Sequence, residues 1–127
     1  MKISLGSRES EVMDVLWQRG PSTVNEVLSG LSAKLAYTTV LTILQNLESK
    51  KCVRHVAEGR AHRYEAAVKQ ADLRRTAVRQ LTKKLFRGSS ELLLAQLVDD
   101  HELSKDQLQR IQAILDENRK AGSKRKT

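Results

Sequence analysis

Thr38, Thr39, Thr42 and Asn46 recur along one side of a helix within the stretch "LAYTTVLTILQNLESKKCVRH", residues 35–55. A hydroxyl donates or accepts a hydrogen bond, and its neighbouring methyl can meet a thymine methyl. An Asn amide can pair bidentately with adenine. These are side chains suited to reading base edges in a major groove, which is wide enough to admit an α-helix. Gln45 stands at the margin of the same face. An ordinary solvated face would be rich in Lys and Glu, which favour helix, rather than in β-branched Thr, which does not. Val40, Ile43, Leu44 and Leu47 fall on the other side at the i, i+3, i+4, i+7 spacing of a buried stripe.

A second set of residues suits phosphate. Arg60, His62 and Arg63 lie in "GRAHRY" (59–64), and Lys50, Lys51 and Arg54 lie in "KKCVR" (50–54). Arg and Lys fix a protein on a duplex by binding backbone oxygens, without reading sequence. Catalytic patterns are lacking: there is no Gly-rich phosphate loop, no nucleophile motif and no HExxH. Cys52, His55 and His62 are the nearest approach to a metal set. Alternation puts Cys52 and His55 on opposite faces of a strand, and no second CxxC or HxxxH accompanies them. No metal and no cofactor are expected, and Cys52 reads as a small packed hydrophobe.

These residues need elements to position them. The first predicted helix runs from about Ser7 to Arg19, capped by Gly6 or Ser7, with Val12, Met13, Leu16 and Trp17 inward. Gly20 and Pro21 stop it. A short second helix, about Val24 to Leu31, opens on the capping-box pair Thr23 and Glu26. The third is the opening stretch, about Thr38 to Lys50. "CVRHV" and "AHRYEA" then form two short β-compatible runs, with Gly59 available for a positive-φ turn. Three helices followed by a hairpin is the winged helix-turn-helix order, with the second and third helices as the helix-turn-helix unit and the hairpin as the wing.

Residues 69–118 predict three more helices: about Gln70–Phe86 with Leu73, Ala77, Leu81 and Leu85 at i+4 steps; about Ser90–Val98 with Leu92, Leu93, Leu94 and Leu97; and one capped by Ser104 and Gln107 with Leu108, Ile111, Ile114 and Leu115 inward. Fifty residues this rich in Leu would expose a large apolar surface alone, which marks an interface. The expectation is a mainly α protein: a winged helix-turn-helix domain at 1–68, a helical dimerisation domain at 69–118, and a disordered tail at 119–127. The homodimer would use Leu73, Ala77, Leu81, Leu85, Leu93, Leu97, Leu108, Ile111 and Leu115.

Charge agrees with a polyanionic partner. The net charge of the 127 residues is +8. Residues 69–87 carry seven basic residues against Asp72, residues 88–118 two against seven acids, and residues 119–127 five against none. Such asymmetry points first to nucleic acid. The single cysteine rules out an intramolecular disulfide and fits a reducing cytosol. No apolar run approaches the length of a membrane span, and "MKISLGSRESEVMDVLW" lacks the apolar region of a signal peptide. A cytoplasmic protein is expected, with no membrane insertion.

"EVMDVLW" (11–17), "AYTTVLTILQNLE" (36–48), "GRAHRY" (59–64) and "ELSKDQLQRIQAILDE" (102–117) resemble the penicillinase-repressor family of the BlaI/MecI type. The resemblance covers about residues 5 to 117. It implies a homodimeric winged-helix repressor that binds a palindromic double-stranded DNA operator. It also implies relief by a membrane-bound sensor metalloprotease that responds to β-lactam and cleaves the repressor in its helical region, by alignment near Gln96–Leu97. Three departures stand out. Gly6–Ser7–Arg8–Glu9 replaces the Thr–Pro–x–Glu that often opens the first helix, Ser10 stands where a bulky residue is common, and Lys50–Lys51–Cys52 replaces Lys–Gly–Leu. A copper-responsive branch with a C-terminal Cys-rich motif is rejected, because no Cys follows position 52.

Two other classes compete. A protein-interaction module with incidental basic charge would show no DNA binding, and the Thr/Asn face argues against it. A ligand-responsive winged-helix regulator needs an effector pocket between the halves, for which few aromatics are available. An enzyme with a small-molecule substrate has no site to support it.

Overall fold

Gly6 opens the first helix with its backbone alone. In the computed structural model, which describes residues 4–125, α1 spans Ser7–Arg19. The Gly6 N–H donates to Glu9 Oε1 at 3.0 Å, and Gly6 O accepts from Ser10 N–H at 3.0 Å. Gly20, at φ +83°, ends the helix by donating its N–H to Leu16 O, and Pro21 prevents continuation. α2 (Val24–Gly30) carries the expected capping box. Thr23 Oγ1 accepts from Glu26 N–H at 3.2 Å, and Glu26 Oε1 accepts from Thr23 N–H at 3.4 Å.

α3 spans Tyr37–Ser49, one residue earlier than expected. It ends without glycine. Lys51 takes φ +65° and donates its N–H to Glu48 O, while Cys52 N–H reaches Leu47 O, both at 2.9 Å. This is the Schellman arrangement, closed by apolar Leu47 and Cys52, both fully buried. Burial raises the Cys52 thiol pKa above its usual value, which suits a packed side chain rather than a reactive one.

The wing is a tight hairpin. β2 (Val53–Glu58) and β3 (Ala61–Ala66) pair antiparallel, from Val53 opposite Ala66 to Glu58 opposite Ala61. The two-residue loop is Gly59–Arg60, with Gly59 at φ +63° as the turn requires. A third strand, β1 (Ser22–Thr23), pairs with β3 at Tyr64 and Arg63, so the sheet order is β1-β3-β2. Two residues behind a proline have no periodicity to betray them in sequence.

The core joins all three helices to the sheet. Val12, Met13 and Leu16 of α1, Val27 of α2, Val40, Leu44 and Leu47 of α3, and Tyr64 of β3 are all at most 2% exposed. Arg19 Nη1 donates to Glu26 O at 2.7 Å and to Ser29 Oγ at 3.1 Å, fastening α1 to α2.

Three further helices follow: α4 (Gln70–Leu85), α5 (Ser90–Asp99) and α6 (Lys105–Arg125). Ser89 Oγ caps α5, and Ser104 with Gln107 forms the expected box on α6. Residues 1–80 form one compact unit and the residues after them a second, with α4 running from one into the other. Trp17 Nε1–H donates to Val68 O at 3.0 Å, and Leu73, Arg74 and Ala77 line a cleft together with Ser10 and Asp14 of α1, so the start of α4 belongs with the first unit. The basic segment expected to be disordered from residue 119 is instead helical as far as Arg125, because α6 continues through it; residues 126–127 lie outside the described residues.

Candidate nucleic-acid interface

The buried stripe of α3 decides what its other side presents. With Val40, Ile43, Leu44 and Leu47 in the core, Thr38, Thr39, Thr42, Gln45 and Asn46 are all exposed, as a row along one face. Thr42 Oγ1–H donates to Thr38 O at 2.9 Å. Its hydroxyl proton is therefore held within the helix, and what remains outward is acceptor capacity and a methyl group. Ala36 caps α3 without a side-chain hydrogen bond; its carbonyl accepts from Thr39 N–H and Val40 N–H, both at 3.1 Å.

The wing stands beside this row. Asn25, Tyr37, Leu41, Gln45, Arg60 and His62 are among the residues lining one cleft of about 390 Å³. The structure thus brings together the wing residues Arg60 and His62 and the marginal Gln45. Tyr37, 47% exposed, lines the same cleft; a helix start at Thr38, as the sequence suggests, leaves it off the face.

The six candidate phosphate-binding residues separate into two groups. Lys50 Nζ donates to Glu9 Oε1 at 2.8 Å and to Ser4 O at 2.7 Å. Burial opposes charge on Glu9, but the Gly6 amide and the Lys50 ammonium outweigh it and hold the carboxyl below its usual pKa. Arg54 Nε pairs with Glu65 Oε1 at 2.6 Å, directly across the hairpin. Arg63 pairs with Glu58 Oε2 at 2.7 Å and Glu26 Oε1 at 3.3 Å, and donates to Pro21 O at 3.1 Å. The Thr23 amide and hydroxyl, then Arg63, hold the Glu26 carboxyl below its usual range. Lys50, Arg54 and Arg63 are therefore occupied internally. Lys51 and Arg60 are exposed and form no ion pair with any described residue. His62 stacks on His55, and Cys52 sits apart in the turn before β2.

The sequence over residues 5–117 matches the family model described as penicillinase repressor. The chain belongs to the penicillinase repressor family. It is 52% identical over 63 residues to the transcriptional regulator BlaI of Mycobacterium tuberculosis, covering 47% of this chain and 46% of that protein. It is 20% identical over 113 residues to the methicillin resistance regulatory protein MecI of Staphylococcus aureus, covering 87% and 92%. The chain spans about half the length of the mycobacterial relative and most of MecI. Among solved structures, the monomeric form of Bacillus licheniformis BlaI in complex with the blaP half-operator is 30% identical, with a TM-score of 0.47, covering 55% of this chain and 88% of that one. These relatives are regulators, not enzymes.

In this penicillinase repressor homologue the residues expected at a dimer interface also separate. Leu73 and Ala77 line the cleft beside α1. Leu81, Leu85, Leu97, Leu108, Ile111 and Leu115 are exposed, and Leu93 is half-buried. No residue of α5 is buried. Gln96 and Leu97, the candidate cleavage pair, lie inside α5, where Gln96 Nε2 donates to the Asp100 carboxylate at 3.1 Å. No helix among the described residues is long and apolar enough to cross a membrane.

Proposed function

We propose that this chain is a sequence-specific transcriptional repressor that acts in the cytoplasm, as a homodimer on a palindromic double-stranded DNA operator. The observation that carries this reading is the exposed row Thr38, Thr39, Thr42, Gln45 and Asn46, fixed on α3 by a buried stripe and flanked by the Arg60 wing. A helix of that surface chemistry, second in a helix-turn-helix, suits base-edge readout. Membership of the penicillinase repressor family and the mycobacterial relative, a transcriptional regulator, support DNA as the partner. The exposed Leu and Ile side chains of α4 to α6 support self-association. Two-fold symmetry sets the half-sites about one helical turn, or a multiple, apart.

The controlled gene is of the resistance or stress-response type, and repression is relieved when a membrane-bound sensor metalloprotease cleaves the helical region near Gln96–Leu97. This part rests on family membership. Because that bond lies within α5, cleavage requires the helix to unwind locally first.

Selection of bound sequences from random DNA tests the central claim. A palindromic consensus is expected. Thr42→Ala and Asn46→Ala should each relax preference at one position of it, costing about 1–3 kcal/mol for a lost base contact. Equal binding to the consensus and to scrambled DNA of the same length would sink the reading.

A further inference from the structure

A second cleft lies away from the α3 row, within the first unit. It is about 310 Å³ and is formed by the 10–14–17 face of α1 and the 70–73–74–77 face of α4. Ser10 and Ala77 are small enough to leave the space open. Trp17 and Leu73 give it apolar walls, and the indole is held in place by its bond to Val68 O at 3.0 Å. Asp14 and Arg74 face the same cleft with opposite charges, yet neither forms an ion pair with any described residue. The contrast is local: the adjacent Arg75 is paired with Asp72 at 3.4 Å. An apolar cavity with a few convergent polar groups is the usual form of a small-molecule site, and this volume lies at the small end of that range.

We propose that this cleft binds a small amphoteric organic molecule: an apolar body against Trp17 and Leu73, a cationic nitrogen on Asp14 and a carboxylate on Arg74. Charge complementarity selects the class. A ligand bearing only a carboxylate meets Asp14 as a like charge, and one bearing only an amine meets Arg74. Bidentate pairing by a guanidinium favours a carboxylate at the α4 side. Ligand entry requires the space beside Ser10 to stay open. The site shares no residue with the candidate DNA interface, and its test involves no DNA, so it stands or falls separately from the repressor reading.

Trp17 is the only tryptophan in the chain and lines the cleft, so its emission reports occupancy directly. L-Phenylalanine and L-leucine are titrated into the full chain, with phenethylamine and 3-phenylpropionate as analogues of one charge each. A saturable change in indole emission is expected for at least one amino acid, with at least about tenfold weaker binding of both analogues, one pK unit or more of affinity. Asp14→Asn and Arg74→Gln should each erase that discrimination; both side chains are exposed, so the fold is retained. Ser10→Leu should fill the space and abolish the response, while calorimetry on wild type registers the same binding without fluorescence. Absence of saturation by either amino acid, equal affinity for the analogues, or an undiminished response in Ser10→Leu overturns the proposal.

Discussion

The imidazole rings of His55 and His62 lie stacked across the wing, with centroids 4.5 Å apart and planes 16° from parallel. His55 Nδ1–H donates to Glu48 Oε2 on α3 at 2.5 Å, since a carboxylate can only accept. His62 lines the cleft with Gln45 and Arg60. The pair therefore links the end of α3 to the strand that carries the wing tip. His55→Ala is expected to lose about 1–2 kcal/mol of stability, for one partly exposed charge-assisted hydrogen bond and one ring contact. Denaturant unfolding measures this. Operator affinity should fall further than His62→Ala alone causes, because His55 also holds the wing to α3. Unchanged stability in His55→Ala would show that the two elements are positioned by the core alone.

The separation of cations by their partners predicts unequal effects on salt dependence. Each phosphate contact contributes a slope of about −0.9 in log K against log salt. Arg60→Ala and Lys51→Ala should each lower the slope magnitude by about one. Arg54→Ala and Arg63→Ala should leave the slope nearly unchanged and reduce stability instead, since their guanidinium groups are on Glu65 and on Glu58 and Glu26. Binding isotherms between low and moderate salt distinguish the two sets. The same slope change in all four variants would refute the division.

Lys51 offers a test in which stability and binding move in opposite directions. It occupies φ +65°, where a side chain crowds the backbone and glycine does not. Lys51→Gly should therefore stabilise the chain by about 0.5–1 kcal/mol, the strain relieved less the added freedom of the unfolded chain. It should also weaken DNA binding, because a cation at the end of α3 that forms no ion pair with any described residue is gone. Thermal unfolding and operator titration on the same sample measure both signs.

Two carboxylates are expected to give the winged-helix unit an acid-dependent stability. Glu26 is lowered from its ordinary pKa of 4.5 by the Thr23 amide and hydroxyl and then by Arg63. Glu9 is also lowered: burial works against this, and the Gly6 amide and Lys50 outweigh it. A depressed folded-state pKa gives stability that is present above the unfolded value and lost as pH falls through the folded one. Stability should thus decline with acid from about the ordinary carboxylate range downward. Glu26→Gln should be less stable than wild type at neutral pH and approach it in acid. Parallel stability curves for the two proteins across that range would contradict the assignment.

How much of this was readable in the sequence follows from the range of each interaction. The α3 face and its stripe repeat within one helix, so periodicity shows them, and the Gly59 turn and the Thr23 and Ser104 boxes are equally local. The Arg54–Glu65 pair follows only once the hairpin register is known. The Lys50–Glu9 contact spans 41 residues, and nothing in "KKC" anticipates it. β1 is two residues long and owes its existence to an edge of β3. The basic cluster at 50–63 shows in the sequence, but which of its cations are paired is decided by acids brought in from elsewhere in the fold.

The C-terminal unit makes the strongest demand for a partner. Leu97, Leu108, Ile111 and Leu115 are each more than a third exposed, and Ile114 is 60% exposed. α6 carries Leu108, Ile111 and Leu115 at spacings of three and four, so they form one stripe on one helix face. Leaving such a stripe in water is unfavourable at about 25 cal/mol for each Å² that a partner would cover. Ile111→Asp places a charge in the middle of it. If a second copy covers the stripe, wild type scatters light as a dimer and its melting temperature rises with concentration, whereas Ile111→Asp is monomeric with a concentration-independent Tm. Because Ile111 is exposed within one chain, the variant should keep the helical content and the folded winged-helix unit. Affinity for a single half-site should then be unchanged, while affinity for the full palindrome falls by about 10²–10⁴, the avidity of two linked reading heads. A monomeric wild type at micromolar concentration with full palindrome affinity would mean that the stripe serves some other partner.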